Sequence, residues 1–292
     1  MQEGRQKLKL LVAVVFAACC CGCPGSGDGW IQGSLWIDNC KDGESFGDSA
    51  ESRREFDLNA DFFAGEPFED SNKSSTQRRN SLTLRIQNTS NNVEESDGLL
   101  IQVNDLDQAA RALAGGILLP ITASRLCPGG NCPLAHDMVR ANLYLYATCP
   151  DGRQPLWGGS HEFAPSADDP GCLFPTGNNP DPCPALTPAA RSSLDQLCEG
   201  DFEDRSSFDA VGQLLGSSCI YLCRFGDAER GQSPEEIEGF TLEYGDRVAA
   251  IISVAVIDGR AINLQTCAQV AGELRGMFDF ELTRGQSAQS FP

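Results

Sequence analysis

Cysteine has the most chemistry to offer in this chain. Fourteen occur in it, too many for a reduced cytosolic enzyme that shows no metal-ligand spacing, so in an exported chain they read as disulfides. Four crowd together at Cys19, Cys20, Cys21 and Cys23. The other ten are Cys40, Cys127, Cys132, Cys149, Cys172, Cys183, Cys198, Cys219, Cys223 and Cys267, an even set that permits five bridges of open connectivity. Local geometry favours one pair, Cys127 with Cys132, because Pro128-Gly129-Gly130-Asn131 forms a tight turn between them. The C-x-x-C within Cys20-Cys21-Gly22-Cys23 lacks the βα context that a thioredoxin-type site needs.

Histidine, serine and carboxylate offer less. His136 and His161 are the only two histidines. Either could join a carboxylate in a zinc or acid/base site, but histidines in loops are ordinarily exposed residues without a role. Gly43-Glu44-Ser45-Phe46-Gly47 has the G-x-S-x-G spacing of a nucleophile elbow, which places serine between a buried strand and a helix. Here the approach, Asn39-Cys40-Lys41-Asp42, is polar, so the elbow has no strand to hold it. Phe46-Gly47-Asp48-Ser49, like the G-D-S block of another esterase family, lacks the same strand. Acidic pairs are plentiful enough for glycoside hydrolysis by paired carboxylates, yet none is singled out. No catalytic or metal-ligating residue is assigned, and no cofactor is called for.

The N-terminus carries Arg5, Lys7 and Lys9, then an apolar run over residues 10–18, the charged and greasy parts of a secretory signal. A permanent span needs about 20 apolar residues, so this shorter run enters a translocon without staying in the bilayer. It ends in Phe16-Ala17-Ala18-Cys19, which resembles the lipobox of bacterial lipoproteins. That resemblance implies lipid on Cys19, cleavage before it, and a signal peptide over residues 1–18. Phe16 departs from the usual Leu. Two or three acyl chains anchor stably where one is marginal, so the membrane is a partner through this anchor. Cys20 rather than Asp follows the anchor, which by the family's sorting rules points to the outer membrane.

The chain holds 41 acidic and 22 basic residues, net −19. Such a surface is repelled by nucleic acid and by anionic headgroups. The D-x-[DN]-x-[DN]-G order of a calcium loop is absent, and Asn104-Asp105-Leu106-Asp107 reads as a helix cap.

The elements that must position any site are mostly strands. Residues 19–29 form a flexible tether, and 30–292 a single domain without an internal linker. Leu82, Leu84 and Ile86 alternate with Thr83 and Arg85. The same period of two runs through Leu99, Ile101 and Val103 and through Phe278, Phe280 and Leu282. Further strands are expected at 32–37, 54–63, 140–147, 218–223, 238–244, 248–257 and 261–265, the last two joined by a tight turn at Asp258-Gly259. Two helices are expected, one from Asp105 to Ala114 with Gly115 as its stop, the other from the Thr187 N-cap and Pro188 to Cys198. Eight of the 16 prolines lie between Pro150 and Pro184. Proline cannot donate to a ladder, so 150–184 reads as a long disulfide-stapled loop.

Several body segments carry a resemblance: Phe56-Asp57-Leu58-Asn59-Ala60-Asp61-Phe62-Phe63-Ala64, Leu84-Arg85-Ile86-Gln87, Ser96-Asp97-Gly98-Leu99, and the ending from Gly276-Met277-Phe278-Asp279-Phe280-Glu281-Leu282 to Phe291-Pro292. They are similar to cysteine-rich lipoproteins of myxobacteria and their relatives, a group that brings no activity with it. The resemblance implies export and a β-rich body. The expected architecture is all-β: a disulfide-braced, jelly-roll-like antiparallel β-sandwich with two short helices and a long Pro-rich loop. The expected function is a lipid-anchored binding or structural module of the bacterial envelope, with a glycan or protein partner. The alternative is a secreted hydrolase of polysaccharide or peptide.

Overall fold

The computed structural model describes residues 27–35, 54–59, 62–69, 80–87, 98–122, 138–144, 161–164, 183–216, 218–257 and 270–283. Cys19, Cys127, Cys132, Ser45, Ser49 and His136 lie outside them, as does the 261–265 strand. The described part is mostly β. The strands are β1 (Gly27–Leu35), β2 (Arg54–Asn59), β3 (Phe62–Glu69), β4 (Asn80–Gln87), β5 (Gly98–Val103), β6 (Leu119–Thr122), β7 (Val139–Tyr144), β8 (His161–Ala164), β9 (Ser218–Phe225), β10 (Arg247–Ile257) and β11 (Val270–Glu281). The helices are α1 (Leu106–Gly115), α2 (Pro188–Glu199), α3 (Phe208–Leu215) and the single turn α4 (Pro234–Ile237), with a 3-10 turn at Arg205–Ser207.

The expected sandwich of two facing sheets is not what the pairing builds. All the strands join one sheet in the order β2-β1-β11-β10-β9-β6-β7-β5-β4-β3, with β8 set against β10 and β7. Every pairing is antiparallel except β6 with β7. Among the described residues the ladder is continuous, and it is narrowest at β6, which joins β7 and β9 through two residue pairs each.

The two edge strands, β2 and β3, are neighbours along the chain. Only residues 60 and 61 lie between them, and three peptide steps reach at most about 11 Å. The expected single strand at 54–63 is therefore two strands serving opposite edges, and the sheet must curl to bring those edges together. A Cβ added to Gly65 on β3 would overlap Leu282, just past the end of β11, and touch Phe280. Glycine there lets β3 approach residues that lie far away in the sheet order.

Curling gives the sheet an inner and an outer face, read from the alternation on each strand. Val248, Ala250, Ile252 and Val254 of β10 join the inner cluster with Ile220 and Leu222 of β9, Leu274, Phe278 and Phe280 of β11, and Leu82, Leu84 and Ile86 of β4. Helix α1 adds Leu106, Ala109, Ala110 and Leu113 to this cluster. Its N-terminus is capped by the Asp105 carboxylate, which accepts from the Gln108 N–H at 3.1 Å. It stops at Gly116 rather than Gly115: Gly116 has φ 58°, the left-handed geometry that glycine takes without strain.

The odd-numbered residues Ala249 and Ile251 of β10 belong to the outer cluster. With them are Trp30 of β1, Met277 of β11 and Cys219 and Tyr221 of β9. Helices α2 and α3 cover this face with Leu194, Val211 and Leu215. Helix α2 begins as its sequence demands, Thr187 Oγ1 accepting from the Ala190 N–H at 3.1 Å with Pro188 in the first turn. Helix α3 comes close because its Gly212 has no side chain; a Cβ there would overlap the Arg275 guanidinium.

Three further differences from expectation have local causes. Residues 238–244 do not form a strand, because glycines with positive φ, Gly239 at 78° and Gly245 at 105°, turn the chain at both ends of the segment. The antiparallel partner that meets the end of β10 is β11, with Ile257 opposite Val270. Within the Pro-rich stretch, the proline-free His161–Ala164 pairs with β10 and β7 instead of looping.

Candidate functional site

The candidate site is an open groove of about 710 Å³ lined by Pro67, Leu242, Glu243, Tyr244, Gly245, Glu281, Leu282 and Thr283. It lies where the end of β11 meets the turn that leads into β10. The turn is Glu243-Tyr244-Gly245-Asp246. The Asp246 N–H donates back to the Glu243 carbonyl at 3.2 Å, and the Asp246 carboxylate accepts from the Glu243 N–H at 2.7 Å. Gly245 supplies the positive φ that a type II turn requires at its third residue.

This turn is fastened to the sheet. Gly245 N–H donates to the Leu282 carbonyl, and Leu282 N–H donates to the Asp246 carbonyl, each at 2.8 Å. Leu242 and Leu282 are buried beneath it, while Tyr244 at the tip is 43% exposed. The result is an exposed tyrosine on a braced turn, with Glu243 and Glu281 lining the same groove. A ring of this kind offers a face for C–H groups or a cation, and carboxylates accept hydrogen bonds from hydroxyl or ammonium groups.

A second polar cluster sits on the outer face and is structural in its connections. The Tyr221 hydroxyl donates to Asp195 of α2 at 2.7 Å. Arg230 lies 4.6 Å from the centroid of the Tyr221 ring and pairs with Asp195 at 3.2 Å. The same guanidinium donates to the Leu113 carbonyl at the end of α1 and, at 2.8 Å, to the Leu222 carbonyl of β9. Burial, and then the hydrogen bond to Asp195, push the Tyr221 phenol far above its ordinary value of 10. Nearby, Asp279 is held by Arg224 at 3.0 Å and Arg247 at 3.1 Å.

Two bridges complete this outer layer. Cys183, just before α2, bonds Cys219, and Cys198, near the end of α2, bonds Cys223. Cys219, Tyr221 and Cys223 alternate along β9, so all three side chains share the outer face. Helix α2 and the segment leading into it are thus tied to one strand at three successive outward positions. The bridges agree with the disulfide reading of these four cysteines, although spacing alone did not pair them.

Of the residues singled out in the sequence, His161 falls on β8, whose backbone pairs with β10 and β7. No group of three or more His, Cys, Asp or Glu side chains suited to a metal ion occurs among the described residues, and no helix there is long and apolar enough to cross a membrane. Sequence reasoning missed the groove because it placed 238–244 in a strand. The signal was present in Glu243-Tyr244-Gly245-Asp246, a turn sequence with glycine third and a carboxylate to cap it. No protein-family model, curated protein or solved structure matches this chain.

Proposed function

We propose that this protein is a lipid-anchored, extracytoplasmic binding module of the bacterial envelope, held to the membrane through Cys19 and contacting an envelope glycan through the Tyr244 groove. The placement is supported by the signal-like N-terminus and by disulfides of the kind that persist in oxidising compartments. The binding reading is carried by one observation: a half-exposed aromatic side chain on a doubly bonded turn, at a groove that two carboxylate residues also line. A turn whose backbone is already braced loses little freedom when a sugar face stacks on the side chain it carries. The net charge of −19 disfavours anionic glycans, so the ligand is neutral or bears amines.

Retention of the full chain on purified envelope polysaccharides tests this. Tyr244→Ala is expected to abolish retention while thermal unfolding stays unchanged. Equal retention of that variant, or retention only by envelope proteins, overturns the glycan reading. A second reading has its own support, since Glu243 and Glu281 line one groove and paired carboxylates hydrolyse glycosides. Release of reducing ends that stops with Glu243→Gln or Glu281→Gln would establish the hydrolase instead.

A further inference from the structure

We propose that the two bridges have different duties: Cys183–Cys219 is a permanent staple, and Cys198–Cys223 is a latch that a dithiol reductant opens, freeing the C-terminal end of α2 from β9. The difference lies in access. Cys219 is wholly buried and Cys183 is 8% exposed, whereas Cys198 and Cys223 are both only half-buried. Thiol–disulfide exchange needs a thiolate to reach a sulfur, and the second bridge joins the two less buried residues. Cys183 also lies beneath the chain at Ser218, its sulfur 3.9 Å from that carbonyl.

What remains after opening explains why the motion would be local. The segment that leads into α2 stays pinned by Cys183–Cys219. The middle of the helix is held by Leu194, its one fully buried side chain, and by the Tyr221–Asp195 hydrogen bond. Beyond Asp195, Gln196, Glu199 and Gly200 are exposed and Leu197 is only half-buried. Opening the latch therefore loosens the end of α2 and the segment leading to Phe202 and Phe208, which pack in and against the outer cluster. In the reaction the reductant's thiolate attacks one sulfur of the bridge, breaking the Cys198–Cys223 bond and forming a mixed disulfide. The reductant's second thiol then displaces the protein sulfur. The products are two protein thiols and an oxidised reductant, with two electrons and two protons transferred.

The native full chain titrated with dithiothreitol, trapped with a maleimide and mapped by mass spectrometry gives the test. Label is expected on Cys198 and Cys223 at least about tenfold faster than on Cys183 and Cys219. Amide hydrogen exchange should accelerate over residues 196–208 but not over 218–222. A Cys198→Ser, Cys223→Ser chain should show the same faster exchange without reductant. Simultaneous labelling of all four cysteines, or earlier labelling of Cys183 and Cys219, overturns the division of duties. Labelling of Cys198 and Cys223 without faster exchange overturns the latch. The trapping of the unmutated chain decides the matter even where the double variant does not fold.

Discussion

The inner and outer faces of the curled sheet are held in different ways. The inner face covers itself: strands from both halves of the sheet and the apolar side of α1 meet in one large cluster of aliphatic and aromatic side chains. The outer face is covered by short helices, and α2 illustrates what that costs. Of its twelve residues only Leu194 is fully buried, so apolar burial alone offsets little of the entropy lost in ordering the helix. The Cys198–Cys223 bridge, the Tyr221–Asp195 hydrogen bond and the Arg230–Asp195 ion pair fasten it. Imperfect packing follows the same division. Of the buried polar atoms without a hydrogen-bond partner among the described residues, Trp30 Nε1 belongs to the outer cluster, and Ser253 Oγ falls on the same face by its alternation with Ala249 and Ile251.

The largest expected effect lies inside. Phe280 is fully buried and packs 6.0 Å, centroid to centroid, from Phe278, so Phe280→Ala should lower unfolding free energy by about 3–5 kcal/mol. Urea denaturation under oxidising conditions reads this directly. A loss under about 1 kcal/mol would mean that the inner face is not the packed core.

On the outer face, replacing both Cys183 and Cys219 by Ala should remove about 2–4 kcal/mol by freeing the unfolded chain. Amide exchange in α2 should rise more than in β10 or β11. Uniform acceleration through all strands would contradict the view that this bridge serves the helical layer.

Tyr221 gives a pH-dependent comparison. Its folded-state phenol is raised above the unfolded value of 10, so the folded chain keeps a proton that the unfolded chain releases. The associated stability is therefore complete below pH 10 and declines as pH rises beyond it. Tyr221→Phe should cost about 0.5–1.5 kcal/mol at neutral pH and should flatten that alkaline decline. A decline as steep in the variant as in the parent would assign it to other groups. Ser253→Ala sits at the small end, expected to be neutral or to stabilise by up to about 1 kcal/mol because it removes an unpaired buried hydroxyl.

Local signals were legible where one element alone decided them. The Asp105 and Thr187 caps start α1 and α2 as the sequence indicates, and the alternation in Leu82–Ile86 and Phe278–Leu282 marks the faces correctly. Topology was not legible, because a period of two says which residues face inward and nothing about which strand pairs with which. Residues 54–63 alternate as one strand, yet β2 and β3 take opposite edges. Helix α3 went unread although Val211 and Leu215 have helical spacing, since its first turn lacks a side-chain cap bond. The Cys183–Cys219 and Cys198–Cys223 pairs depend on α2 lying along β9, a tertiary fact that no spacing encodes. The groove escaped for a related reason: its residues come from three separate stretches of sequence.

The central claim is that the folded body acts outside the cytoplasm on a lipid tether at Cys19. Labelled fatty acid fed to cells expressing the full chain, followed by immunoprecipitation, tests it most directly. The account predicts label on the parent chain, and an unlabelled, uncleaved precursor for Cys19→Ala, because the thioether must form before the signal is removed. A parent chain that carries no label, or a Cys19→Ala chain labelled and cleaved as efficiently as the parent, would contradict it.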